Sequence, residues 1–164
     1  NNKEVFISHY QQHYSQPKNP PSWMCVEVMY FSQLSNICQG LKLRSDVNDI
    51  ADYFKLPPRI FCSLLHTINY VRNLCAHHSR VWNRTFNIVP EKLHFSKHLE
   101  WIDNPEVIQR SKVYFFCCML QYLLQTINPS STFPLKLQSL LKEYAGVMNI
   151  NEMGFTSDWE SKKI

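Results

Sequence analysis

PPRIFCSLLHTINYVRNLCAHHSRVWNR, residues 57–84, carries a helical period through most of its length. Proline is tolerated in a first helical turn, where its missing N–H has no intrahelical partner anyway. Pro57-Pro58 therefore opens a helix predicted to run from about Arg59 to Ser79. At about 100° per residue, Ile60, Phe61, Leu64, Leu65, Ile68, Val71 and Cys75 fall on one arc, the predicted core face. His66, Asn69, Tyr70, Asn73, His77 and Arg80 form a polar stripe on the other side. Asn73 and His77 are four residues apart and so neighbours on that stripe, where a side-chain amide can fix an imidazole tautomer. His78 returns to the core arc beside Val71 and Cys75, which assigns it to packing or to a backbone hydrogen bond. Arg72 lies about 140° from His77 around the helix, so one straight helix keeps them apart; across a dimer interface they can converge.

Outward from this segment the same period recurs. A first helix is predicted over residues 3–15, closed by the breaker run Gln16-Pro17-Lys18-Asn19-Pro20-Pro21. A second runs from Ser22, as N-cap, to Gln39, with Gly40 as its stop and Trp23, Val26, Met29/Tyr30, Gln33/Leu34 and Ile37 as its buried stripe. A third, from about Asp46 to Phe54, ends before the proline pair. Beyond the opening segment, residues 81–104 carry no clean period and are expected to be partly irregular. Further helices are predicted at Glu106–Ile127 and Pro134–Tyr144, separated by the turn residues Asn128-Pro129-Ser130-Ser131. The tail from Asn149 to Ile164 reads as a loop with one weak turn. These five to six helices make an all-α, up-and-down bundle, a single domain over residues 1–164. Because the chain begins with Asn1, it is expected to be the C-terminal part of a longer protein.

Composition removes several functions. A chain of 164 residues that is 45% hydrophobic fills a core without staples, burying about 70% of its unfolded surface. Its three glycines, Gly40, Gly146 and Gly154, are too far apart for a dinucleotide or phosphate-binding glycine loop. The longest apolar stretch, Val113 to Ile127, contains Gln121 and Gln125 and falls short of the roughly 20 residues that span a bilayer. It reads as a core helix, and no membrane partner is expected. With no export signal, a cytoplasmic location is expected, and the six cysteines, none in a C-x-x-C pair, read as reduced, mostly buried thiols.

Charge is unevenly distributed. The net charge is only +4, yet from Tyr53 to Pro90 there is no acidic residue while Lys55, Arg59, Arg72, Arg80 and Arg84 are cationic. Such a field attracts phosphates, and the planar, permanently charged arginine fork suits them best. Within it, Arg72-Asn73 followed by His77 resembles the R-x(4-6)-H signature of HEPN domains, a superfamily of helical bundles rich in metal-independent ribonucleases. Residues 71–84 resemble the R-N-x-x-A-H-H-x-R-x-W-N-R block of the Abi-like abortive-infection proteins of the AbiD/AbiF type. Pro21-Ser22-Trp23-Met24 with Glu27, Phe31-Ser32-Gln33-Leu34-Ser35, Ile50-Ala51-Asp52-Tyr53-Phe54 and Met153-Gly154-Phe155 with Trp159 are similar to further landmarks of that family. Ser32 departs from the usual glycine.

The resemblance implies toxin-like RNA cleavage in bacterial phage defence. Metal-free cleavage needs a base for the 2′-hydroxyl, an acid for the leaving 5′-oxygen and a cation for the charge that builds on phosphorus. Arg72 and His77 are then the central catalytic residues and Asn73 orients His77 or the phosphate. His78, which also satisfies the spacing, is a supporting candidate, and Arg80 and Arg84 are RNA-binding candidates. One motif per chain makes a homodimer with a composite cleft the natural arrangement, with RNA as substrate, a noncoding RNA antitoxin as a further partner, and no cofactor.

The plainer readings stand beside these. The basic face could serve a non-catalytic RNA- or partner-binding helical module, or be the wet side of a structural domain. Trp82 and Asn83 are expected to lock the loop after the helix and not to touch substrate. His9/His13 and His94/His98 are four apart, but no third ligand sits at fitting spacing, so no metal site is expected. Asp46, Asp49 and Asp52 read as a wet helix face.

Overall fold

The computed structural model describes residues 4–41, 44–91 and 109–161, and those residues are all-helical, with no strand among them. Seven α-helices are present among them: α1 (Val5–His13), α2 (Ser22–Glu27), α3 (Phe31–Gly40), α4 (Arg44–Tyr53), α5 (Pro58–Ala76), α6 (Val113–Ile127) and α7 (Phe133–Glu143). Two 3-10 turns follow, Ile150–Met153 and Trp159–Ser161. The chain forms two compact units, one up to Gly40 and one from Leu41 onward.

In the first unit, α1 and the proline-rich turn after it are tied together by Tyr10, which is buried and donates its hydroxyl to the Pro17 carbonyl at 2.8 Å. The single helix expected from Ser22 to Gln39 is two helices. Pro21 caps α2 and Ser22 is its first residue, with no side-chain cap bond. Tyr30 N–H donates to Gln33 Oε1 at 2.8 Å, the backward half of a capping box, and this starts α3 afresh at Phe31. The break ends the continuous stripe. Trp23 and Tyr30 are 65% and 74% exposed, Val26 and Ile37 are exposed too, and Met24 and Ser35 are the buried positions.

In the second unit, α4 ends in a Schellman motif. Lys55 adopts a left-handed φ of 53°, Leu56 N–H reaches the Ala51 carbonyl at 3.1 Å and Lys55 N–H reaches Asp52 at 2.9 Å. Ala51 and Leu56, which such a motif brings together, are both buried. Pro57 and Pro58 then open α5 as cap and first residue. Helices α4 and α5 pack against each other, with Phe54 stacked on Phe61 at 5.0 Å, and Tyr122 of α6 donates to the Phe54 carbonyl at 2.7 Å.

The buried face of α5 is Ile60, Phe61, Leu64, Thr67 and Val71. Thr67, which hydropathy leaves off this face, is fully buried because its hydroxyl donates to the Ser63 carbonyl at 3.0 Å. Leu65 and Ile68 are half-buried, and Cys75 is exposed because the helix ends one residue later. Helix α6 begins at Val113 after an extended Lys112, later than expected; the start expected at Glu106 lies outside the described residues. It buries residues on every side, including Tyr114, Phe115, Cys118 and Met119, as a central helix must. Burial pushes the Cys117 thiol up to about 12, which keeps it protonated and inert. None of the six cysteines forms a disulfide.

The tail is not a loop. Met153, Phe155 and Trp159 are buried in one cluster with Val71, Phe86, Tyr114 and Leu141, and Phe155 meets the Trp159 ring at 5.1 Å. Gly154, at φ +85°, makes the reversal that sends both neighbours inward. No helix among the described residues is long and apolar enough to cross a membrane.

Candidate active site

Helix α5 stops at a second Schellman motif, and its geometry decides where the candidate residues lie. Ser79 N–H bonds to the Leu74 carbonyl at 2.9 Å and His78 N–H to Cys75 at 3.0 Å. His77 is the C-cap and His78 takes the left-handed position at φ 52°, where glycine is usual and histidine is among the tolerated exceptions. His78 is therefore exposed and off the core arc, contrary to its expected packing beside Val71 and Cys75.

Asn73 is the joint of the site. Its Oδ1 accepts a hydrogen bond from Arg72 Nη1 at 3.1 Å, and its backbone carbonyl accepts the His77 N–H at 3.0 Å. The amide thus orients Arg72; no hydrogen bond links it to the His77 ring among the described residues. Arg72, His77, His78 and Arg80 are all exposed, while Asn73 and Arg84 are half-buried. The Arg72 and His77 side chains remain separate groups, as a straight helix requires.

After the helix, residues 81–84 form a tight turn closed by Arg84 N–H to the Val81 carbonyl at 3.1 Å. Trp82 packs on the buried cluster and Asn83 Nδ2 donates to Glu152 Oε2 at 3.4 Å, so both hold the loop as expected. Arg59 is taken out of the open cationic field by an ion pair with Glu91, though at 82% exposure this pair contributes little to stability. Sequence reasoning missed Glu152. The one signal was the apolar Met153, Phe155 and Trp159 around it, more than a solvated tail would carry.

Elsewhere, His9 and His13 stack at 4.0 Å, with His13 Nδ1 at 2.9 Å from the His9 carbonyl oxygen. Among the described residues, no group of three or more His, Cys, Asp or Glu is placed to hold a metal ion. His94 and His98 lie outside them.

Glycine at position 78 would relieve the left-handed strain. That strain is about 1–2 kcal/mol for a side chain with Cβ, offset by the greater unfolded freedom of glycine, roughly 0.5–1 kcal/mol. His78→Gly is expected to raise stability by about 0.5–1 kcal/mol in urea denaturation at constant slope. A loss of stability would mean that the imidazole makes a contact worth more than the strain.

A fold whose described residues are all-helical, and whose longest described helix ends in the exposed Arg72, His77, His78 and Arg80 beside a half-buried Asn73, is the class that fold and site define. The chain belongs to the Abi-like protein family, whose model matches residues 1–83, just over half of its length. The match runs through α5 to Asn83 and so contains Arg72, Asn73, His77, His78 and Arg80; Arg84 and the tail lie beyond it. Membership ties the protein to abortive infection, a form of phage defence. No curated protein and no solved structure matches the chain.

Proposed function

We propose that the protein is a metal-independent endoribonuclease of bacterial phage defence, acting in the cytoplasm as a homodimer on single-stranded RNA. The observation that carries this reading is the placement of Arg72, Asn73 and His77 at one end of α5, with the exposed Arg72 bonded to Asn73 Oδ1, in a stretch with no carboxylate from Tyr53 to Pro90. His77 of one copy takes the proton from the 2′-hydroxyl, whose oxygen attacks phosphorus. The 5′-oxygen leaves and receives a proton from His77 of the second copy. Products are a 2′,3′-cyclic phosphate and a free 5′-hydroxyl, with no change in oxidation state. Arg72 carries the charge that grows on the phosphoryl oxygens, and its bond to Asn73 holds the guanidinium in place beforehand. His78 is a supporting group, and Arg80 and Arg84 contact the RNA backbone.

The second copy follows from the count of groups. One chain offers a single Arg72–His77 set, one cation and one imidazole, while the reaction needs a base, an acid and a clamp. The test is cleavage of a labelled RNA in excess EDTA, with mass measured in parallel by light scattering. Cleavage that survives chelation and follows the dimer fraction is expected. A dimer that binds RNA without cutting it would make the chain a non-catalytic binding module.

A further inference from the structure

Arg80 and Arg84 bracket the turn at residues 81–84, and that turn is held by groups outside it. Trp82, at its second position, packs on the cluster that contains Met153, Phe155 and Trp159. Asn83, at its third, bonds through Nδ2 to Glu152, 69 residues away. Asn83 Oδ1 is buried without a hydrogen-bond partner, so the bond to Glu152 is what orients the amide. Glu152 is itself fixed on the 3-10 turn Ile150–Met153. Asn149 Oδ1 accepts the Asn151 N–H at 3.1 Å at one end, and Phe155 N–H reaches the Ile150 carbonyl at 3.1 Å around the left-handed Gly154 at the other. A stretch with no carboxylate of its own thus receives one from the tail.

We propose that Glu152 is a positioning residue for the arginine turn: through Asn83 it sets the placement of Arg80 and Arg84, so the C-terminal tail tunes how the protein holds an RNA backbone. This rests on the reading of those two arginines as RNA contacts. Glu152 touches no RNA itself. Its carboxylate serves as a hydrogen-bond acceptor, so a neutral acceptor of the same length can replace it.

The test compares the full chain with its Glu152→Ala, Glu152→Gln, Asn83→Ala and doubly substituted (Asn83→Ala, Glu152→Ala) forms. The probe is a 2′-O-methylated single-stranded RNA, which binds but lacks the attacking hydroxyl. In Glu152→Ala and Asn83→Ala the Arg84 amide, which closes the turn, is expected to exchange its hydrogen faster. Affinity for the probe is expected to fall about fivefold, the scale of one net hydrogen bond. The double variant is expected to lose no more than either single one, and Glu152→Gln to bind as the parent does. Unchanged Arg84 exchange, unchanged affinity, or additive losses in the double variant would each overturn the proposal while leaving the ribonuclease reading intact. A parent protein that neither binds the probe nor cleaves RNA would remove both, and that outcome is read from the parent alone.

Discussion

Replacing Arg72 with alanine is expected to lower the turnover of RNA by about a thousandfold while leaving the folded state unharmed. A preorganised group aimed at charge that develops in the transition state contributes on the order of 10²–10³ in turnover, about 2.7–4 kcal/mol. A guanidinium facing a phosphoryl group belongs at the top of that range. The only side-chain bond recorded for Arg72 among the described residues is to Asn73, and both residues sit at the surface end of α5, so the stability change should stay within about 0.5 kcal/mol. His77→Ala removes both proton-transfer groups of the dimer at once and is expected to cost a comparable 10²–10⁴. Arg72→Lys separates charge from shape. The ammonium keeps the charge but loses the fork and its reach to Asn73 Oδ1, so it should recover only part of the loss. Mixing parent with His77→Ala protomers tests the composite cleft: the reaction takes its base and its acid from the two copies, so a heterodimer with one histidine should be impaired and activity should fall faster than the share of parent chains. Parent-like rates in both single variants would end the assignment of these two residues.

How far the sequence speaks for itself depends on the range of the interaction in question. Helix α5 was legible because Pro57 and Pro58 define its start through their own covalent chemistry and its apolar residues repeat on one face. Helix α7, expected at Pro134–Tyr144 and found at Phe133–Glu143, was legible for the same reason. The α2–α3 break was hidden because it depends on one hydrogen bond from Tyr30 to Gln33, in a stretch whose hydropathy continues without interruption. Cap geometry also moved His78: periodicity places it on the core arc, but the Schellman turn rotates it into the left-handed region and out to solvent. Arg72 and His77 are readable as members of one block of residues, and the hydrogen-bond partner of Asn73 is not. Its pairing with Arg72 in preference to His77 is a matter of rotamers that spacing does not encode. For Glu152 the local pattern offers only its apolar neighbours and no partner, since that partner lies 69 residues away and the tail's cluster is assembled only in three dimensions.

That cluster makes the second large effect. Gly154→Ala is expected to destabilise the protein by about 2–5 kcal/mol, from two independent costs. At φ +85° a residue with Cβ is strained by about 1–2 kcal/mol. The added Cβ would also lie 2.8 Å from Lys112 Cβ, the rigid root of that side chain at the cap of α6, so relief needs a backbone shift and adds about 1–3 kcal/mol of overpacking. The shift cannot be confined to the tail, because Met153 and Phe155 on either side of Gly154 are both buried in the cluster that carries Val71 and Trp82. For a chain of this size, about 3 kcal/mol corresponds to a fall in melting temperature of roughly 6–12 °C. Gly146→Ala supplies the control. No atom lies within 4 Å of its added Cβ and its φ is not left-handed, so reduced unfolded freedom should leave that variant as stable or about 0.4–1 kcal/mol more so. Calorimetry on the pair is decisive: equal melting temperatures would show that the tail does not pack as described, and with it the clamp on the arginine turn would lose its support.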